Sequence, residues 1–195
     1  MIKLDDYDIF RENKKSLREL SKDDSDPNDV QYMTDVPMDA VDFDKVKRIY
    51  ANRLGLSEEC AASADALMSA KNRVLLIEFK NGKVNNRNVK DKVRDSLLLF
   101  CDITEKHIAD TRENVELVLV YNPGRNPMPN QVIKARTQES ASRDVIGKHF
   151  MLKANQEYIR FDLERYKRLY FKDVHTYSVE EFEGYLEAML QNEVV

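Results

Sequence analysis

The chain reads Ser63-Ala-Asp-Ala-Leu-Met-Ser-Ala70, then Lys71-Asn72, then Arg73-Val-Leu-Leu-Ile-Glu-Phe-Lys80. Two apolar segments on either side of a two-residue connection are typical of a β-hairpin. The second segment is apolar from Val74 to Ile77, which is typical of a strand buried within a sheet. The hairpin therefore predicts the centre of a β-sheet.

The register of this hairpin brings charged side chains together. With a two-residue turn Ala70 faces Arg73, and the same count puts Asp65 directly opposite Glu78. Side chains alternate faces along a strand, so Glu78 and Lys80 share one face. Directly opposed residues lie about 4.5–5.5 Å apart at Cβ, and two carboxylates at that distance repel unless a cation or a proton lies between them. The hairpin therefore predicts an acidic site that can hold a divalent metal ion.

The whole chain has the size and composition of one soluble domain. It has 195 residues, of which 42% are hydrophobic and 34% charged, enough to form one core without disulfides. It has no apolar run of about 18 residues, and its first residues are too acidic for a signal peptide. We therefore expect a cytoplasmic protein with no membrane partner. Cys60 and Cys101 have no CxxC spacing and are expected to be small core residues.

Charge is distributed unevenly along the chain. Residues 1–45 carry 13 acidic and 7 basic side chains, whereas residues 71–94 carry 2 acidic and 8 basic ones. The formal net charge of −4 argues against a protein that coats nucleic acid without selectivity. A basic segment beside a carboxylate site instead suits a polyanionic substrate, although a solvated basic face would have the same composition.

The order of the predicted elements indicates an α/β fold with a central mixed β-sheet flanked by helices. Helices are predicted over 7–20, 42–54, from 86, over 131–152, and from 178, where Ser178 and Glu181 form a capping box. Strands are predicted over 63–70, 73–80, 115–121 and 168–177. We expect one domain over 1–195, with 1–41 as an acidic N-terminal extension made of a helix and a loop.

Basic side chains follow the second hairpin strand. Lys83 precedes the predicted helix, and Arg87, Lys90 and Arg94 recur along its start. The exposed N–H groups at a helix N-terminus also attract phosphate. We therefore expect these four residues to grip a nucleic-acid backbone, with binding that weakens steeply as salt is added.

The Glu-x-Lys tripeptide has little meaning alone, since residues 12–14 contain a second copy in a charged segment. In the hairpin, however, Glu78 and Lys80 end a buried strand, and Asp65 lies on the neighbouring strand. A helix and another strand follow. This arrangement resembles the PD-(D/E)xK nuclease superfamily over residues 42–121.

The resemblance implies a restriction-endonuclease-like fold and a metal-dependent nuclease that hydrolyses phosphodiester bonds, with DNA favoured over RNA. Asp65 and Glu78 would bind Mg²⁺ or Mn²⁺ together with the carbonyl oxygen of Phe79, and Lys80 would assist the attacking water. Ala64 stands where the name-giving proline would be. A double-strand break needs two active sites, so a homodimer is expected. The outer acidic ligand stays open among Glu12, Glu19, Asp42 and Asp44.

Three other interpretations stay open. The same fold without catalysis would be a binding or immunity-type module of a defence or mobile-element system, which the acidic N-terminal third favours. Alternatively, Glu78 or Asp65 forms only a surface salt bridge with Lys80, worth about 0–1 kcal/mol. The chain could also be an unrelated α/β interaction protein. Zinc, nucleotide and hydrolase sites of the HExxH, P-loop, GxGxxG and GxSxG types are excluded, since none of these motifs is present.

Overall fold

The structure is a computed structural model that describes residues 2–128 and 158–191. These residues form eight strands: β1 (Lys14–Ser16), β2 (Lys22–Asp23), β3 (Gln31–Tyr32), β4 (Asp39–Asp42), β5 (Ala66–Ala70), β6 (Arg73–Lys80), β7 (Val115–Tyr121) and β8 (Asp173–Ser178). They also form six α-helices: α1 (Asp8–Arg11), α2 (Leu17–Leu20), α3 (Phe43–Arg53), α4 (Asn86–Thr104), α5 (Ile108–Asn114) and α6 (Val179–Gln191). Short 3-10 helices span Leu4–Asp6 and Glu164–Tyr166.

Six of the strands form one mixed sheet in the order β1-β4-β5-β6-β7-β8. The neighbours from β1 to β6 run antiparallel, whereas β6, β7 and β8 run parallel to one another. A crossover that contains α4 and α5 joins β6 to β7. The remaining strands, β2 and β3, pair in a small sheet of their own. The predicted α/β class, with a central mixed sheet flanked by helices, is confirmed.

The central hairpin has the predicted register. Ala70 pairs with Arg73, and the ladder continues to the pair of Ala66 with Ile77. A two-residue turn joins the strands, and its first residue, Lys71, has a φ of 52° in the left-handed region. The turn length therefore sets which residues meet across β5 and β6.

Helices cover both faces of the sheet. One face packs against α3 and α4 in a cluster that includes Leu76, Leu117 and Phe100. The opposite face packs against α6 in a cluster that includes Leu75 and Phe182. Every residue of β7 is buried, as its largely apolar sequence, with Glu116 as the one charged residue, predicts for a central parallel strand.

The helices over the first face begin as their sequences predict. The Asp42 carboxylate accepts a 2.9 Å hydrogen bond from the N–H of Lys45 and caps α3, and Gly55 follows this helix with a φ of 70°. The side chain of Asn85 caps α4 by accepting from the first free N–H groups of that helix. Both predicted helices are confirmed.

The N-terminal segment differs from the prediction. A single helix over 7–20 is wrong, because β1 separates α1 from α2 and pairs with β4. The break has a local cause: the side chain of Asn13 donates to the carbonyl oxygen of Ile9 over 2.8 Å, and the Ser16 hydroxyl caps α2. Phe10 and Leu17 are fully buried, so this segment supplies a strand and core residues to the main sheet.

The C-terminal strand is shorter than predicted. Of the range 168–177, only the part from Asp173 is a strand, because Arg168 has a φ of 63° that extended backbone does not adopt. The predicted capping box is present. The N–H of Ser178 donates to the Glu181 carboxylate over 2.8 Å, and the Ser178 hydroxyl accepts from the N–H of Glu181 over 3.3 Å.

The helix predicted over 131–152 lies outside the described residues. Both cysteines are free thiols, and Cys101 is partly buried, but Cys60 is exposed, so its predicted place in the core is wrong. In the described part of the chain, no helix is long and apolar enough to cross a membrane.

Candidate active site

Asp65, Glu78 and Lys80 lie together on the sheet face that α4 covers. Leu67 and Leu76 pack on that face. Asp65 lies two residues before Leu67, and Glu78 and Lys80 lie two and four residues after Leu76, so all three share the face of these leucines. Glu78 is fully buried, and its Oε1 lies 2.7 Å from Nζ of Lys80. The predicted sharing of one face is therefore present. The intervening Phe79 side chain belongs to the cluster on the opposite face.

The backbone of β6 holds Asp65 in place. The N–H of Asp65 donates to the carbonyl oxygen of Ile77 over 3.1 Å, and its carboxylate Oδ2 accepts a 2.7 Å hydrogen bond from the N–H of Phe79. The regular ladder of β5 and β6 ends at Ala66, and beyond it the carboxylate of Asp65, instead of a backbone carbonyl, accepts the hydrogen bond from Phe79. The predicted pairing of Asp65 directly opposite Glu78 is therefore wrong, as is a strand that begins at residue 63, because β5 begins at Ala66 and Asp65 lies beside the end of the ladder.

A second lysine, from α4, completes the cluster. Nζ of Lys92 lies 2.9 Å from Oε1 and 3.2 Å from Oε2 of Glu78, and 3.4 Å from Oδ1 of Asp65. One ammonium group therefore bridges both carboxylates. Two acidic and two basic side chains meet here, so their formal charges balance.

Lys92 was not among the candidate residues, although the helical period of α4 carries a signal for it. Val89, Lys92 and Ser96 lie at i, i+3 and i+7 on one face of the helix. Val89 and Ser96 are fully buried, and the Ser96 hydroxyl accepts a 2.7 Å hydrogen bond from the N–H of Ala64. Ser96 thus contacts the residue that precedes Asp65. Because Lys92 lies between Val89 and Ser96 on the same face of α4, its side chain is directed at the hairpin.

Burial and neighbouring charge act on the acids of this site. Burial and the negative charge of Asp65 raise the pKa of the Glu78 carboxyl, and Lys92 and Lys80 lower it, so that the resulting pKa is about 7. Burial alone would lower the pKa of the Lys92 ammonium, but the charges of Asp65 and Glu78 outweigh it and raise that pKa. Lys92 is therefore a fully charged partner of the two acids at neutral pH.

The site offers carboxylate and carbonyl oxygens, which are the donors that hard divalent cations prefer. Oxygens of both carboxylates lie within 3.4 Å of one positively charged nitrogen, so they already converge on one position. The Phe79 carbonyl lies on the same strand edge as its N–H, which faces Asp65. Mg²⁺ is commonly held by one or two carboxylates with waters and substrate phosphate. Among the described residues, no group of three or more His, Cys, Asp or Glu side chains could hold a metal ion.

The outer acidic ligand is not found among its candidates. The Asp42 carboxylate caps α3 and lies 2.7 Å from Nζ of Lys15. The Asp44 carboxylate accepts from the Ser63 hydroxyl over 2.7 Å. Glu12, which follows α1, and Glu19, in α2, are both exposed. None of the four shares a hydrogen bond or ion pair with Asp65 or Glu78 in the described residues.

A cavity of about 280 Å³ opens beside Asp65 and Lys80. Asp65, Phe79 and Lys80 line one side of it, and the N-terminal segment lines the other. The side chain of Asn81 donates to the Asp23 carboxylate over 2.9 Å and thereby ties that segment to the end of β6. The cavity borders the site at Asp65 and Lys80, and its lining does not include Glu78 or Lys92. The other lining residues are Leu20, Ser21, Lys22, Ser25, Met33 and Gly82.

The predicted basic residues lie along the start of α4, where carboxylates neutralise part of their charge. Nζ of Lys90 lies 3.2 Å from the Asp162 carboxylate. Arg94 forms an ion pair with Asp91, whose other oxygen is 3.9 Å from Nε of Arg87. The side chain of Arg87 is 92% exposed, and Lys83 is exposed in the loop before the helix. Lys83 and Arg87 are therefore the two residues best placed to contact a phosphate.

Comparison of the chain with protein-family models, with curated proteins and with solved structures found no match.

Proposed function

We propose that this protein is a metal-dependent nuclease of the PD-(D/E)xK superfamily, with the restriction-endonuclease-like arrangement of hairpin, helix and parallel strand. It hydrolyses phosphodiester bonds, and DNA is its preferred substrate. One observation carries the proposal: Asp65 and Glu78 converge on a single cationic position next to Lys80, at the side of a cavity.

Each residue of the site has a role in this reaction. Asp65 and Glu78 hold Mg²⁺ or Mn²⁺, with the carbonyl oxygen of Phe79 as a further oxygen donor. When bound, the ion supplies neutralisation of phosphate charge and an activated water. Lys80 stands 2.7 Å from Glu78, where its ammonium orients the attacking water or stabilises negative charge that develops on the phosphate.

The surroundings of the site suit a polyanion. Lys83 and Arg87 extend the positive charge of Lys80 along the loop and the start of α4, with partial support from Lys90 and Arg94. Contacts of this kind bind the phosphate backbone without selecting a base sequence. We further propose that two copies act together, because a double-strand break needs two active sites. We also propose that the protein acts in the cytoplasm.

Cleavage of labelled DNA in the presence of Mn²⁺ tests the proposal. Wild-type protein should cut duplex or single-stranded DNA, and Glu78→Gln and Lys80→Met should abolish cutting. Exposed residues provide matched controls, since Glu59→Gln and Lys45→Met change the same functional groups away from the site and should cut normally. Cutting that survives in both site variants would reject this site as the catalytic centre.

A second candidate function has its own support. Lys92 bridges the two carboxylates, and an acidic pair that is neutralised by a lysine needs no metal ion. On this basis the chain would be a non-catalytic binding or immunity-type module of a defence or mobile-element system. That candidate predicts DNA binding without cleavage, and no change in thermal stability when Mn²⁺ is added.

A further inference from the structure

Lys92 is placed where a bound cation would be expected. Its Nζ contacts both oxygens of Glu78 and one oxygen of Asp65, all between 2.9 and 3.4 Å. Among the described residues, by contrast, Lys80 forms an ion pair with Glu78 and with no second carboxylate. The two lysines are therefore not equivalent: Lys80 stands beside the acidic pair, and Lys92 stands between its members.

A divalent ion and the Lys92 ammonium cannot both occupy the position between Asp65 and Glu78. A divalent ion that bound Asp65 and Glu78 would lie within a few ångströms of the Lys92 ammonium, and like charges at about 4 Å repel strongly inside a protein. Without Lys92, however, the two acids would face each other with less compensation for their charge. The ammonium and a divalent ion are thus alternative partners of one acidic pair.

We propose that Lys92 is a resident cation that holds the metal-free site together and leaves when a divalent ion binds. The inference rests on the proposed metal-dependent function and adds a regulatory residue to it. The lysine lowers metal affinity, because each binding event must first break its contacts with Asp65 and Glu78.

The side chain has a route out of the site. It is 27% exposed, so part of it borders solvent while Glu78 is fully buried. The backbone of α4 does not have to move, because four rotatable bonds separate Nζ from the helix. A purely structural lysine would behave differently, since its loss would disorder the carboxylates and weaken metal binding.

Mn²⁺ titration by calorimetry separates these alternatives. Lys92→Gln removes the positive charge but keeps a hydrogen-bond donor for the carboxylates, which favours folding of the variant. It should bind Mn²⁺ about tenfold more tightly than wild type. Lys90→Gln is the matched control, because Lys90 lies on the same helix but pairs with Asp162, and its Mn²⁺ affinity should equal that of wild type.

Amine labelling of wild-type protein gives a second measurement that needs no variant of Lys92. With an acetylating reagent and peptide mass spectrometry, the labelling of Lys92 should rise when Mn²⁺ is added, while the labelling of Lys90 stays constant. In Glu78→Gln, Mn²⁺ should leave the labelling of Lys92 unchanged.

The possible outcomes distinguish the two proposals. Equal or weaker Mn²⁺ binding by Lys92→Gln, or unchanged labelling of Lys92 in metal-bound wild type, overturns the resident-cation proposal and leaves the nuclease proposal intact. Absence of Mn²⁺ binding in wild type and in Lys92→Gln alike overturns both. Tighter binding by Lys92→Gln supports the resident cation even if the wild-type affinity is low.

Discussion

The carboxylate of Asp65 accepts a 2.7 Å hydrogen bond from the backbone N–H of Phe79. The same side chain offers its second oxygen to Lys92 over 3.4 Å. Asp65 therefore completes the end of a β-ladder with one oxygen and belongs to the acidic pair with the other. Substitution can separate these two roles.

Asp65→Asn should keep the protein stable and Asp65→Ala should not. Asparagine retains an oxygen that can accept from Phe79, whereas alanine leaves a buried N–H group without a partner, which costs about 1–3 kcal/mol. Urea denaturation should show that loss for Asp65→Ala and less than about 1 kcal/mol for Asp65→Asn. Equal losses in the two variants would show that the hydrogen bond to Phe79 contributes little.

Lys71→Gly should stabilise the hairpin. Lys71 has a φ of 52°, a conformation that costs a residue with a side chain about 1–2 kcal/mol and glycine much less. After allowance for the greater freedom of glycine in the unfolded chain, the free energy of unfolding should rise by about 0.5 kcal/mol. Asn72→Gly is the control, because Asn72 is outside the left-handed region and its replacement should destabilise. Chemical denaturation of both variants measures the two signs, and a loss of stability in Lys71→Gly would contradict the turn geometry.

A second buried acid lies at the other end of the central strands. Oε1 of Glu116 is 2.6 Å from the Arg73 guanidinium, and its Oε2 accepts from the Tyr185 hydroxyl over 3.1 Å and is 3.4 Å from Nε2 of His175. Burial alone would raise the pKa of Glu116, but the 3.4 Å contact with His175, the hydrogen bond from Arg73 and the charge of Arg73 outweigh it and lower that pKa to about 2.

This shift predicts acid sensitivity. Because the folded pKa of Glu116 lies below its unfolded value of 4.5, its contribution to stability is present above pH 4.5 and is lost as the pH falls towards 2. Glu116→Gln should therefore lower the free energy of unfolding at pH 7 by on the order of 2–3 kcal/mol, and the difference from wild type should shrink between pH 4.5 and pH 3. Urea denaturation across this range measures it. The exposed Glu59→Gln should show no such trend, and a difference for Glu116→Gln that does not depend on pH would contradict the prediction.

Arg87 and Lys90 should differ in their effect on DNA binding. Arg87 is 92% exposed and 3.9 Å from its nearest carboxylate, whereas Lys90 is paired with Asp162 at 3.2 Å. Arg87→Gln should weaken binding and reduce the slope of log affinity against log salt by about one, while Lys90→Gln should change it less. Fluorescence anisotropy with labelled DNA at several salt concentrations measures both slopes. A larger effect of Lys90→Gln would mean that the ion pair with Asp162 opens when DNA binds.

Local patterns in the sequence predicted much of the sheet and its main helices. The hairpin register follows from a turn of two residues, and α3, α4 and the capping box of α6 follow from apolar spacing and from the residues next to each helix end. These features depend on residues that are near one another in the chain, so a single sequence contains the necessary information.

The N-terminal strands could not be predicted in this way. β1 and β4 have three and four residues, and β1 is mostly polar, so neither has a clear period. β1 exists because Lys14, Lys15 and Ser16 find partners more than 20 residues further along the chain. Pairing at that separation depends on the position of the whole sheet, which local propensity does not describe.

From the residues alone, the alternation along β6 already implied that Glu78 and Lys80 share a face, and the count across the two-residue turn placed Asp65 beside them, because both depend on residues that are near in the chain. The packing of α4 over the sheet added the decisive partner. Whether Lys92 reaches both carboxylates depends on how Val89 and Ser96 seat that helix against the strands, and this is a property of side chains that meet only in the folded chain.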